Sequence, residues 1–376
     1  MNTTATLLED LIALPSVNPA FLSARHRHAG EGRVAEFLAA VAAGAGLDVE
    51  FQKVAPHRPN LLVRLSPPSR PTRRVVLAPH LDTVNAAIDA QFIPSRKQGR
   101  IYGRGACDTK GCVAAMLSAL CELARSKSRP QQTEIVFAGL IDEENGQLGS
   151  RALAASGLRA DLAVVGEPTR LQVVTAHKGS LWLQLESRGK AAHGASPHLG
   201  RNAVHGMARV VDFLETDYAA RLRRRQHSLL GTATVSVGTI CGGSQPNIVP
   251  DRCTISVDRR TLPGETEKTV CRDMNALLRR QKLQAKVSSL KSLACLPMET
   301  NPKLPLVRQF LRSVGQAQPA GVHYFCDASI LSHAGIPSVV FGPGDIAQAH
   351  TADEWISLSS LERGKNLLVG FLRSLP

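Results

Sequence analysis

Three apolar runs in the first half of the chain end the same way. Residues 74–78 carry a continuous Val-Val-Leu and stop at Pro79-His80. Residues 134–141 stop at Asp142-Glu143-Glu144, and residues 161–166 stop at Glu167-Pro168-Thr169. A short run with no polar alternation is the pattern of a strand buried on both faces. Between and after these runs the period changes to that of a helix. Val113, Met116, Leu117, Leu120 and Ala124 line one side of residues 110–125, and residues 149–156 read as a second helix. Buried strand, polar strand end, then helix is the pattern of an α/β fold with a sheet flanked by helices. In such sheets, sites gather outside the carboxyl ends of the strands.

The rest of the chain divides around this pattern. Helices are expected at 6–14 and 32–45, the latter with Val34, Phe37, Leu38 and Val41 as its buried stripe. Strands are expected at 49–54 and 60–65. From Lys178 the reading changes. Residues 180–188, 232–240 and 252–259 alternate apolar and polar, as antiparallel strands with one wet face do, and 200–214 and 265–282 read as helices. The α/β pattern returns with helices at 304–314, 327–334 and 358–375 and a strand at 338–341. The expected organisation is therefore a discontinuous first domain, residues 1–177 and 292–376, interrupted by an inserted α+β domain at 178–291. At 376 residues the chain is long enough for two cores.

Several strand ends and loops carry metal-binding side chains. The run Gly103-Arg104-Gly105-Ala106-Cys107-Asp108-Thr109-Lys110-Gly111 places an aspartate on a glycine-rich turn before a helix, read as an exposed position. His80, Glu143, Glu144 and Glu167 stand at strand ends, and His350 lies in Gln348-Ala349-His350-Thr351. Singly, Asp108 reads as a helix N-cap and Glu143-Glu144 as a solvated turn. Together they offer one Asp, Glu residues and two His to a two-metal site. Oxygen-rich ligation with two imidazoles suits zinc, cobalt or manganese. Asp82, two residues beyond His80 on an extended segment, points the same way and can hold the imidazole in its metal-binding tautomer. The side chains of Glu143 and Glu144 diverge, so one can bind metal while the other takes a proton from water.

Composition narrows the partners. The formal net charge is +14, with Arg221-Leu222-Arg223-Arg224-Arg225 as the densest patch, yet only 4% of residues are aromatic. That leaves few stacking platforms for single-stranded nucleic acid, and solvated helix faces account for the charge better than nucleic acid does. No apolar run is long enough to span a bilayer. The first residues carry neither a basic start nor an apolar signal core, so a cytoplasmic location is expected. The eight cysteines include no Cys-x-x-Cys pair and read as reduced, mostly buried thiols, with Cys107 set apart by its neighbour Asp108.

His80-Leu81-Asp82, residues 103–111, Asp142-Glu143-Glu144, Gly166-Glu167-Pro168-Thr169 and Ala349-His350-Thr351 together resemble a known family. It is the dinuclear zinc family of acetylornithine deacetylase, succinyl-diaminopimelate desuccinylase, aminoacylase and bacterial glutamate carboxypeptidase. The motifs occur in the family's order along the whole chain. The resemblance implies a zinc-peptidase α/β domain with an inserted dimerisation, or lid, domain. It implies two divalent ions, with Asp108 bridging, His80 and Glu167 completing one site, and Glu144 and His350 the other. Glu143 would be general base and acid, and Asp82 would orient His80. In the inserted domain, Gly189-Lys190-Ala191-Ala192-His193-Gly194 resembles the motif whose His reaches a substrate carbonyl across a homodimer. Asn247 and Arg260 resemble the carboxylate-binding residues. Ala176-His177-Lys178-Gly179 and Gly342-Pro343-Gly344 are most similar to the acetylornithine deacetylase branch, whereas Gly194-Ala195 departs from the usual residues after the His. The implied reaction is removal of the acyl group from an N-acyl amino acid by metal-activated water. The alternatives are a dipeptidase or glutamate-type carboxypeptidase, a desuccinylase, and more remotely a non-catalytic or nucleic-acid-binding member.

Overall fold

The computed structural model describes residues 3–23, 26–290 and 295–376. The chain packs as two units. One comprises Met1–Thr175, Thr300–Ala320 and Cys326–Pro376, and the other Ala176–Glu299 and Gly321–Phe325. The boundary expected between residues 291 and 292 lies outside the described residues.

The first unit is built on a mixed sheet. Its strands run in the order Asp48–Ala55, Arg58–Leu65, Thr133–Gly139, Arg73–Pro79, Leu162–Gly166 and Ser338–Val340, and Val174 pairs with Val340 beyond them. The Arg73–Pro79 strand is parallel to both its neighbours, Thr133–Gly139 and Leu162–Gly166. It is buried from Val75 onward, as an unbroken apolar run requires when helices cover both faces. The chain then goes to one side of this strand with Thr133–Gly139 and to the other with Leu162–Gly166, so the winding reverses at its end. Open α/β sheets form crevices at such switch points. Pro79 pairs with Gly166 and His80 bridges Leu140. Register alone therefore brings His80, Glu167 and the Asp142–Glu144 turn out of the sheet at one edge.

Helix Lys110–Ala124 is buried along nearly its whole length and packs against Thr4–Ile12 and Leu358–Arg373. A helix apolar all round belongs inside a core rather than on a surface. In helix Gly32–Ala43 the buried face is Val34, Ala35, Leu38 and Ala42. Phe37 and Val41, expected in that stripe, are only part-buried at its margin, the buried face being turned toward Ala35 and Ala42.

Not every element was legible. Three short strands, Ser95–Lys97, Arg100–Tyr102 and Trp355–Ser357, form a separate antiparallel sheet. Each is too short to show a period, and none was expected.

The second unit holds a four-stranded antiparallel sheet in the order Thr234–Gly242, Arg252–Thr261, Gly179–Arg188, Lys286–Ser289. Helices Ala203–Phe213 and Glu267–Arg280 share its core, where Met207, Val210, Met274 and Leu278 meet Leu183 and Ile255. The helix expected to end at residue 214 continues instead through a π turn, Leu214–Tyr218, into Ala219–Arg223. Among the described residues no helix is long and apolar enough to cross a membrane.

Candidate metal centre

Asp108 stands at the middle of the site. Its Oδ1 lies 3.1 Å from His80 Nε2, and its Oδ2 lies 3.3 Å from His350 Nε2. Glu167 Oε1 is 3.9 Å from His80 Nε2, and Glu144 Oε1 is 3.2 Å from His350 Nε2. Two groups result, His80–Asp108–Glu167 and Asp108–Glu144–His350, each with one donor atom per residue within 4.8 Å of the others. All five side chains expected as ligands are brought together.

The loop 103–111 turns on specific backbone demands. Gly105 has φ +82°, and a Cβ there would meet Thr83 Cγ2 at 2.9 Å. Gly111 has no unusual φ. It is small because a Cβ would meet the Ala106 carbonyl oxygen at 2.6 Å. Asp108 is not at the expected exposed position: it is only 7% exposed, its loop being bonded to Glu354 and to the Thr351 carbonyl. Cys107 is also buried, donates to the Asp345 carbonyl at 3.3 Å and belongs to neither donor group. Burial pushes its thiol far above the usual range, so it behaves as an inert packing residue. Of the other cysteines, Cys241 is exposed and Cys271 part-buried, while the rest are buried.

Asp82 does more than the sequence implied. His80 Nδ1 lies 3.0 Å from the Asp82 backbone carbonyl oxygen and 3.5 Å from its carboxylate Oδ1. The carboxylate itself accepts from Asn18 Nδ2 at 2.7 Å and from the peptide N–H groups of Glu143 and Glu144, both at 3.1 Å. One residue thus fixes the imidazole and the acidic turn together. Asp142 sits in left-handed backbone at φ 67°. Its carboxylate is held by Asn18 at 3.0 Å and Arg58 at 3.1 Å.

The electrostatics favour cations. Burial raises the carboxyl pKa values of Glu143, Glu144 and Glu167, and like-charged neighbours raise them further. His350 is pushed up to about 10 by its hydrogen bonds to Asp108 and Glu144. Asp108 carries a pKa below the carboxylate range despite its burial, because both imidazoles bond to it. A divalent ion bound among these groups would offset the crowding of buried carboxylates that raises their pKa values. Zinc–ligand bonds of about 2.0–2.2 Å in a tetrahedral site put neighbouring donors about 3.3–3.6 Å apart. The observed separations of 3.1, 3.2, 3.3 and 3.9 Å straddle that figure, so the nitrogen and oxygen donors present fit such ions.

Two carboxylates near this site carry no signal of that place in the sequence. Asp327 reads only as the start of a helix. Its side chain makes no cap and instead accepts from Ser150 Oγ at 2.6 Å and Gln147 Nε2 at 3.3 Å. Burial raises it to about 6, and its charge in turn raises Glu143 and Glu167. Glu354 binds the backbone of the Asp108 loop. It closes the run Ala349-His350-Thr351-Ala352-Asp353-Glu354, which by itself reads only as the loop of His350. The fold gives both carboxylates their places.

The residues expected to contact substrate lie in the second unit. His193 is exposed, and it pairs with Ile248 through a β-bridge, while Gly194 N–H donates to the Asn247 carbonyl at 2.7 Å. His193 and Asn247 are therefore on adjoining loops. Arg260 lies on strand Arg252–Thr261, its Nε engaged by Asp258 Oδ2 at 2.9 Å.

Two donor triads sharing one carboxylate, outside the carboxyl ends of a mixed sheet, make a candidate two-cation centre of the kind hydrolases use. The chain belongs to peptidase family M20/M25/M40, which matches residues 76–374. It is 33% identical over 304 residues to an acetylornithine deacetylase of Myxococcus xanthus, covering 78% of each chain. It is 31% identical over 380 residues to an acetylornithine deacetylase of Edwardsiella ictaluri, covering 96% of this chain and 95% of that one. A solved tripeptidase from Staphylococcus aureus has a TM-score of 0.77 at 21% identity, over 98% of this chain and 97% of that one. That last likeness concerns the fold.

Proposed function

We propose that this M20 hydrolase removes the acyl group from N-acyl amino acids, using two divalent cations, zinc foremost, with cobalt or manganese as substitutes. The observation that carries the reading is the division of Asp108, one oxygen toward His80 and the other toward His350. The deacetylase names of the relatives support the acyl class.

Bound ions would supply Lewis acidity, acidifying water and polarising the acyl carbonyl. His80, Asp108 and Glu167 would hold one, and Asp108, Glu144 and His350 the other. Glu143 belongs to neither triad. Its carboxylate takes the proton of the attacking water and returns it to the leaving amine nitrogen. Asp82 keeps His80 Nδ1 engaged, which leaves Nε2 facing Asp108. By family resemblance, His193 of one protomer of a homodimer donates to the substrate carbonyl bound by its partner, and Asn247 and Arg260 hold the α-carboxylate. Asp258 engages Arg260 through Nε, and a guanidinium's two terminal nitrogens form the fork that matches a carboxylate.

The test is a panel of N-acetyl amino acids, N-succinyl amino acids, dipeptides and tripeptides assayed with added zinc or cobalt. Each N-acyl acid is paired with its methyl ester. The reading expects highest kcat/KM on an N-acyl amino acid and a loss on esterification. Preferred cleavage of dipeptides or tripeptides would make the protein a peptidase instead, and equal turnover of acid and ester would remove the role of Arg260.

A further inference from the structure

Glu354 is 1% exposed, and its carboxylate accepts hydrogen bonds from one loop. Arg104 Nη1 donates to Oε2 at 2.7 Å and Gly105 N–H to the same oxygen at 2.9 Å. Cys107 and Asp108 N–H donate to Oε1 at 2.8 and 2.9 Å. The Glu354 carbonyl in turn accepts from Gly103 N–H at 3.0 Å. The carboxylate therefore gathers the peptide groups on both sides of the Gly103–Asp108 turn, including that of Asp108 itself.

The same residue belongs to the segment that delivers His350. Between them, Arg104 Nη2 donates to the Thr351 carbonyl at 3.2 Å and Gln91 Nε2 to that of Ala352 at 2.9 Å. Directly after Glu354, strand Trp355–Ser357 pairs with Arg100–Tyr102, which leads into the Asp108 loop. His350 needs such support. It lies outside any strand, its side chain is 53% exposed, and its backbone is left-handed at φ 62°. The His80–Asp108–Glu167 triad is tied differently. His80 and Glu167 leave paired strands, and Thr109 Oγ1 donates to the Gly166 carbonyl at 3.1 Å.

We infer that Glu354 is the positioning residue of the Asp108–Glu144–His350 triad, its carboxylate and Arg104 joining the loop that carries Asp108 to the loop that carries His350. The inference rests on the two-cation reading above. Losing Glu354 acts unequally on the two cations, because only one triad depends on the His350 loop. Outer partners of metal ligands typically contribute about 10–100-fold in affinity.

The experiment titrates the metal-free protein with Zn²⁺ by calorimetry, alongside Glu354→Gln, Arg104→Lys and, as a reference, His350→Ala. A glutamine must turn its amide N–H₂ toward either Arg104 or the peptide N–H groups, none of which accepts. Arg104→Lys leaves the carboxylate in place but removes the fork that also reaches Thr351. Folding of each variant is followed by circular dichroism, and if Glu354→Gln does not fold, Arg104→Lys decides. The expected result is one Zn²⁺ bound as in the unaltered protein and the other weakened about 10–100-fold, the retained step matching that of His350→Ala. Two unaltered steps in a folded variant, or equal weakening of both, would overturn the inference. Unaltered protein that binds fewer than two ions would instead sink the two-cation reading, and this inference with it.

Discussion

His350 Nε2 lies 3.2 Å from Glu144 Oε1 across 206 positions of sequence. Glu143, one residue away, makes no such contact and stands outside both donor groups. Adjacent acids at one strand end thus face different surroundings, and substitution separates them.

Glu143→Gln is expected to keep both metals and to lower kcat by about 10²–10⁴-fold, the usual contribution of a general base. Glu144→Gln is expected to lower the metal content itself. Elemental analysis of both variants beside their turnover checks the division. Normal turnover in Glu143→Gln would end the assignment of that residue as base.

Metal-free protein should recover two equivalents of Zn²⁺ per chain and gain stability on doing so. Binding to the folded state alone contributes about 2.7 kcal/mol when free metal is 100 times its dissociation constant. Thermal melts with and without Zn²⁺ read the effect. A melt indifferent to Zn²⁺ and a stoichiometry near zero would argue against the centre.

Arg58 donates to Glu31 at 2.6 and 2.7 Å and to Asp142 at 3.1 Å, and the Glu31 side chain is wholly buried. Arg58→Met removes one partner of a buried pair and leaves Glu31 without its counter-ion. The expected loss is roughly 3–5 kcal/mol of stability, read from urea denaturation. A loss within 0.5 kcal/mol, the range of about ±0.5 typical of surface positions, would show that the network does not hold the Asp142–Glu144 turn.

The proposed homodimer with shared sites can be tested by complementation. His193→Ala and Glu143→Gln are each expected to be nearly inactive, removal of a carbonyl donor costing about 10²–10³ in kcat. In a heterodimer of the two, reciprocity across a two-fold interface places both defects in one site and neither in the other. Activity should return to roughly half that of the unaltered dimer. Heterodimers shown to form without recovery would mean that His193 does not serve its partner.

Three of the five proposed ligands, His80, Glu144 and Glu167, were legible because each follows a recognisable apolar run, whereas Asp108 and His350 stand in a turn and a loop. The Val-Val-Leu of the Arg73–Pro79 strand, the apolar run before Asp142 and the run before Glu167 are periodic signals carried by a few neighbouring residues. Parallel pairing then puts their ends side by side, as Pro79 opposite Gly166 does. Helix Lys110–Ala124 was equally plain, its apolar positions recurring at helical spacing.

The kinds of residue available, and the strand ends that present some of them, are thus local properties of the chain. How they are held depends on the tertiary structure, through contacts between distant segments. Only there does Asp108 divide its two oxygens between His80 and His350, and only there does Asp82 meet His80 through its backbone carbonyl while its carboxylate takes the N–H groups of Glu143 and Glu144. Glu354 reaches Asp108 N–H across 246 residues, and Asp327 reaches Ser150 across 177. The reason is physical. Periodicity records which face of an element is buried, a local property. A hydrogen bond between a carboxylate and a distant peptide group leaves no period in either segment, and it exists only once the sheet and its helices have set the two loops within reach.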